Sequence, residues 1–305
     1  MDHDWGPQAQ IFLSEEDHLK HAEEIKRVLK EKLPTSYKGF PTNWAAPGSD
    51  NTSHPEFSPD DTFNPMLNIM TVRQFIKESL NFDYSQPITL RDWFAFSEQE
   101  LLHIVVGKIF HNDLPELEAI QTYFNYYPEP IWLLRMYALW SAIAEEQAFI
   151  GRCHDTGDEL GERLITARIV NKLMKLCFYL EKKYYPYSKW FGTGFTKLNC
   201  AQDLQPLFQE TLSAKSYKQR SQTLCSAYLK VAEMHNALNI TKPVPVEIDN
   251  YYGRGYKGLQ TNNLMSVLAE TITPEILKEL GLSKLDSNET RIFNIEPLLD
   301  DSNYT

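Results

Sequence analysis

Between Pro130 and Tyr185 the chain carries two long stretches of helical periodicity, "IWLLRMYALWSAIAEEQAFIGR" and "GDELGERLITARIVNKLMKLCFYLEKKY", joined by "CHDTG". In the second, Leu160, Leu164, Ile169, Leu173, Leu176 and Leu180 fall on one stripe, with Val170, Met174 and Cys177 beside it. Helices this long with apolar stripes must bury them against one another, so this part of the chain is expected to be a helical bundle. "CAQDLQPLFQETLSA" and "YKQRSQTLCSAYLKVAEMHNAL" supply two more helices, and "NNLMSVLAETI" a last short one.

The N-terminal part has a different period. "QAQIFLS" reads as a buried strand, and Ser14 with Asp17 three residues on resembles a capping box. Leu19, Ala22, Ile25, Leu29 and Leu33 then follow a helical spacing that Pro34 ends. "FPTNWAAPGSDNTSHPEFSPDDTFNP" is expected to be a long surface loop. "MLNIMTV" reads as a strand, "RQFIKESL" as a short helix, and a box from Ser97 to Glu100 opens "EQELLHIVV", which Gly107 stops. "KIFHND" reads as a short strand and turn. The fold class is therefore α+β: an α/β segment over residues 1–115, a helical domain over 116–245, and a C-terminal extension over 246–305 with an acidic tail. Tyr126, Tyr127, Pro128, Glu129 and Pro130 are the turn residues between the first two.

The chain has 305 residues, 42% of them hydrophobic, enough for a sizeable core. Its net charge of −11 disfavours nucleic acid and anionic membrane as partners. Charges interrupt the apolar stretches before a membrane span is reached. Residues 1–10 lack the basic start and apolar run of a signal peptide. Cys153, Cys177, Cys200 and Cys225 match neither a zinc ribbon nor a disulfide framework, and Cys177 and Cys225 read as core thiols. The expected compartment is cytoplasmic.

The chain opens with "MDHDWGP". On a strand, Asp2 and Asp4 would face one side and His3 the other. Two carboxylates so placed suit Mg²⁺, a hard ion that prefers oxygen and clamps nucleotide phosphates. Solvated terminal acids are the plain alternative.

"DHDWGP" followed by "IFL" resembles the acid pair of the nucleotidyltransferase-like fold as found in the DUF4037 family. "DWFAFSEQELLHIVVGKIFHND", "EEQAFIGR", "GDELGERLITARIVNKLMKL", "YYPYSKWFGTGF" and "AEMHNALN" resemble further blocks of that family, so the similarity runs from Asp2 to about Leu268. The resemblance implies a nucleotidyltransferase-like α/β segment and a Mg²⁺-dependent transfer of a nucleotide from a triphosphate to a small-molecule hydroxyl. It also implies a glycine-serine turn before the acid pair and a third acid on a neighbouring strand. Nothing precedes Met1, and the best-placed strand, "MLNIM", offers Asn68, whose amide oxygen ligates Mg²⁺ without adding charge. The chain is accordingly expected to be shortened just before its first acid. The competing expectation is a non-catalytic protein: a degenerate relative that binds a nucleotide or a partner, or an inactive truncated fragment.

Glu145 and Glu146 lie mid-helix. They fit an internal ion pair with Arg152 or Arg163, or, for Glu146, a general base for the acceptor hydroxyl. Lys189, among aromatic residues, fits either a phosphate contact or an aliphatic stem laid over an apolar surface. His235 reads as a core histidine, while His111 and Asp113 fit either a cleft or a turn.

Overall fold

The computed structural model describes residues 9–46, 53–57, 64–65, 67–250, 253–282 and 284–285. The chain divides into two compact units, one formed by residues 1–86 and 107–123, the other by 87–106 and 124–305. It is an α+β protein with a helical C-terminal region.

The first unit is built on β1 (Ala9–Phe12) and α1 (Glu15–Lys32), followed by β2 (Ser36–Tyr37), β3 (Phe40–Pro41), β4 (Asn43–Trp44), β5 (Pro55–Glu56), β6 (Leu67–Met70) and α2 (Val72–Leu80). β1 and β6 pair in parallel, from Ala9 opposite Leu67 to Phe12 opposite Met70. α1 lies between them in sequence, so the three form a β–α–β unit. The Ser14 hydroxyl caps α1 by accepting from the Asp17 backbone N–H at 3.0 Å. α2 starts on a full capping box made by Thr71 and Gln74, which the sequence reading passed over. It buries Val72, Phe75, Ile76 and Leu80, and Phe12 meets Phe75 edge-on at 5.4 Å.

Three expectations fail here. β1 is exposed or half-buried rather than buried, and α1 buries none of its residues, with Leu19 86% exposed. The sheet to which β1 belongs has two strands among the described residues, too narrow a face to cover an 18-residue helix. The Pro- and Asn-rich stretch is not wholly a surface loop. Asn43, Trp44 and Ala45 are buried, because the Asn43 Oδ1 accepts from the Asn64 N–H at 2.6 Å and the Ala45 N–H donates to the His54 carbonyl at 3.0 Å. "KIFHND" forms no strand, since no neighbouring chain pairs with it among the described residues, and Phe110 is left exposed.

Next in the chain come α3 (Leu90–Ala95) and α4 (Glu98–Val106) of the second unit and α5 (Pro115–Tyr123) of the first. The second unit continues with α6 (Glu129–Asp155), α7 (Glu159–Leu180), α8 (Ser188–Phe195), α9 (Ala201–Ser213) and α10 (Tyr217–Ala237). β7 (Ile248–Asn250), β8 (Lys257–Leu259), α11 (Thr261–Thr271) and α12 (Pro274–Leu280) complete it. α6 is buried on every side over its first four turns, from Ile131 to Ile143. α7 packs along it with Ile165, Ile169, Leu173, Leu176 and Leu180. Leu160 and Leu164 were expected on this stripe and are exposed instead. Leu160 precedes Ile165 by five residues, which places it roughly 140° around the helix from the buried face.

β8 and α11 close over α6 through one side chain. The Gln147 Oε1 accepts from the Leu259 N–H at 3.0 Å, and its Nε2 donates to the Leu259 carbonyl at 3.0 Å, so the amide copies the edge of a strand. One turn on, Gly151 lies under the Tyr256 ring, whose hydroxyl donates to Asp155. Among the described residues no helix is long and apolar enough to cross a membrane. The acidic tail from residue 286 lies outside the described residues.

Gly151 generates a prediction whose sign decides between two effects. Inside an exposed helix, Gly→Ala stabilises by about 1 kcal/mol. Here an added Cβ would come within 2.2 Å of the Tyr256 ring, which is anchored by Asp155. Overpacking of this kind costs about 1–3 kcal/mol. Gly151→Ala should therefore lower the urea midpoint, whereas a higher midpoint would mean that the ring yields freely.

Candidate functional site

Asp2, His3 and Asp4 lie outside the described residues. β1 begins at Ala9, and on β6 the exposed Asn68 stands in register with Gln10. Among the described residues, no group of three or more His, Cys, Asp or Glu side chains is placed to hold a metal ion.

Glu146 is half-buried on α6 and faces the middle of α7. Its carboxylate accepts from Arg168 Nε at 2.9 Å and from Lys172 Nζ at 2.8 Å. These partners differ from the expected Arg152 and Arg163. Arg152 lies over the Phe149 ring, and Arg163 bonds Glu159 one turn back on its own helix. Burial would raise the Glu146 pKa, but the hydrogen bonds from Arg168 and Lys172 outweigh it and hold the carboxyl below its usual range. A carboxylate so held is a weak proton acceptor. Lys189 is exposed on α8, its ammonium 5.6 Å from the neighbouring Trp190 ring. Glu146 thus meets the middle of α7, while Lys189 belongs to an element beyond the C-terminal end of α7.

The most enclosed polar centre of the second unit was not foreseen. Glu98 opens α4, and its Oε1 accepts from the Tyr179 hydroxyl at 2.6 Å. Its Oε2 accepts from the Tyr185 backbone N–H at 3.3 Å. The Arg135 guanidinium of α6 stands 3.8 Å from Glu98 and lies over the Tyr127 ring at 4.5 Å and the Phe94 ring at 5.6 Å. The Arg135 and Glu98 side chains are 1% and 4% exposed, so this centre offers no open face to a substrate. Burial pushes the Glu98 carboxyl above its usual range, against the pull of Arg135 and Tyr179. The nearby Trp132 indole donates to the Tyr179 carbonyl at 2.8 Å, and the Tyr184 hydroxyl to the Phe124 carbonyl at 3.0 Å.

Residues 93–191 match the family model of DUF4037, a domain of unknown function. The matched stretch contains every residue of the Glu98–Arg135–Tyr179 centre, together with Glu146, its two cationic partners and Lys189. No curated protein and no solved structure matches the chain.

A second buried ion pair joins Glu162 of α7 to Arg220 of α10. Arg220 also donates to the Ala214 carbonyl at 2.8 Å. His154, stacked on Tyr217 at 4.2 Å, stands 3.7 Å from the same carboxylate. The sequence signal for the first centre was available in part: Arg135 is a lone charge within "IWLLRMYALW", and a charge in an apolar run is either buried with a partner or misread. Its partner, from a different helix, left no local trace.

Two predictions follow from these networks. Arg135→Met should destabilise the protein by about 3–5 kcal/mol in urea unfolding, because it strands the Glu98 carboxylate. The double variant with Glu98→Gln should recover part of that loss; equal losses in the two would show that the pair is not coupled. For Glu146, the folded pKa lies below the ordinary 4.5. Its stabilisation is then fully present above that value and disappears as pH falls through the folded pKa. Glu146→Gln should melt below the parent protein near neutral pH, with the gap closing as pH falls through the lowered folded pKa; a constant gap would show that charge is not the cause.

Proposed function

We propose that the chain is a nucleotidyltransferase-like protein that takes a nucleoside triphosphate with Mg²⁺ at Asp2 and Asp4 and transfers the nucleotide to a small-molecule hydroxyl. The observation that carries this reading is the parallel β1–α1–β6 unit following the acid pair, in a chain whose residues 93–191 match the DUF4037 model. Two carboxylates form a hard oxygen donor set, which suits Mg²⁺. Such an ion, when bound, offsets the charge that develops on a leaving pyrophosphate. The net charge of −11 favours a small acceptor over a polynucleotide.

The chain's own residues restrict the rest of the chemistry. Glu146 is committed to Arg168 and Lys172, so its role in this reading is to join α6 to α7. Asn68, exposed beside Gln10, cannot take a proton and adds no charge to a metal site. Lys189 is an exposed cation on α8 of the second unit. The amide at position 68 favours a second reading, in which the chain binds a nucleotide or a partner without turning it over.

Calorimetry with ATP, with and without Mg²⁺, tests the first step, and pyrophosphate release with polyols and amino sugars tests the second. Mg²⁺-dependent ATP binding that is lost in Asp2→Asn and in Asp4→Asn is the expected result. Binding without pyrophosphate release would move the chain to the non-catalytic class. Binding that both variants retain would remove the acid pair from the site.

A further inference from the structure

The C-terminal end of α7 carries two residues one turn apart, Cys177 and Glu181, which face the same side of the helix. The Glu181 carboxylate accepts from the Asn199 N–H at 2.9 Å and from the Cys200 N–H at 2.8 Å. These bonds hold the start of α9 against that side of α7. Cys200, the residue before α9, is thereby held on the side of α7 that carries Cys177. Cys177 is fully buried, whereas Cys200 is half-buried.

We propose that Cys177 and Cys200 form a reversible redox pair, with Cys200 as the thiol that meets hydrogen peroxide and Cys177 as the thiol that resolves it. The Cys200 sulfur attacks one peroxide oxygen, the O–O bond breaks, and a sulfenic acid and one water form. The Cys177 sulfur then attacks the Cys200 sulfur. The S–O bond breaks, and the departing hydroxide takes the Cys177 proton as a second water. In sum, two thiols give up two electrons to one peroxide, yielding one disulfide and two waters. Burial, and then the Cys200 side chain, push the Cys177 thiol well up, so it waits as a protonated partner rather than as the first nucleophile. The disulfide would close a covalent loop around α8 and its aromatic contacts, Phe191 on Tyr185 and Phe195 on Phe178.

The test uses the full chain in its native state, treated with hydrogen peroxide, alkylated with iodoacetamide and digested with trypsin without reductant. The expected product links the peptide of residues 176–182 to that of residues 198–215, and dithiothreitol should release it. Cys200→Ser should abolish the product and leave Cys177 unoxidised. The oxidised protein should melt higher by roughly 5 °C or more, since a cross-link removes freedom from the unfolded chain. Linkage of either residue to Cys153 or Cys225 instead would overturn the proposal. So would sulfinic or sulfonic acid at Cys200 without the linked peptide, in protein that keeps its helical circular dichroism. The parent protein's peptide map decides the matter even if Cys200→Ser fails to fold.

Discussion

A 27-residue helix with apolar residues on every side has to be enclosed, and α6 sets that requirement for the whole second unit. α7 covers one side, α11 and β8 another, and α3 a third. At the point where β8 meets it, α6 presents Gln147, whose amide satisfies both backbone groups of Leu259. A backbone edge buried against a helix needs such a partner, because an unmet N–H or carbonyl would cost about 1–3 kcal/mol. Gln147 is thus one of the contacts that seat the C-terminal hairpin, beside the packing of β8 on α10.

Enclosing α6 also encloses Arg135. The protein answers with a carboxylate from α4, two aromatic faces and the Tyr179 hydroxyl, all within the stretch that matches the DUF4037 model. Such a centre adds little net stability over an apolar core, but losing one member is costly, so it locks α4, α6 and the end of α7 into one arrangement. The Glu162–Arg220 pair does the same between α7 and α10. These charges hold helices in place and have no open side, which separates them from residues available for chemistry.

Chemistry has to come from elsewhere. The proposed nucleotide site belongs to the acid pair ahead of β1, and the proposed thiol pair belongs to the junction of α7 and α9. The two readings are independent: a peptide map of the oxidised protein and a titration with Mg²⁺ and ATP fail or succeed separately. Glu146 illustrates why a carboxylate in a helix is a poor guide to catalysis by itself. Its two cationic partners keep it ionised and tied down, and their positions on another helix are invisible in the local sequence.

Local order was legible in the residues. The Ser14 and Ser97 hydroxyls cap α1 and α4, Thr156 and Gly157 turn the chain between α6 and α7, and the helices near residues 201, 217 and 261 form where the sequence pattern places them. These features depend on neighbours within four residues, which is the range over which a sequence states its own interactions. What lies beyond that range was decided by tertiary structure. α1 has helical spacing yet no partner face among the described residues, Leu160 and Leu164 turn outward, and Trp44 is buried from a stretch rich in loop residues. The pairings of Glu98 with Arg135 and of Glu146 with Lys172 join residues that are far apart in the chain and on separate elements. Periodicity assigns a side chain to a face of its own helix, but only packing determines which other element meets that face.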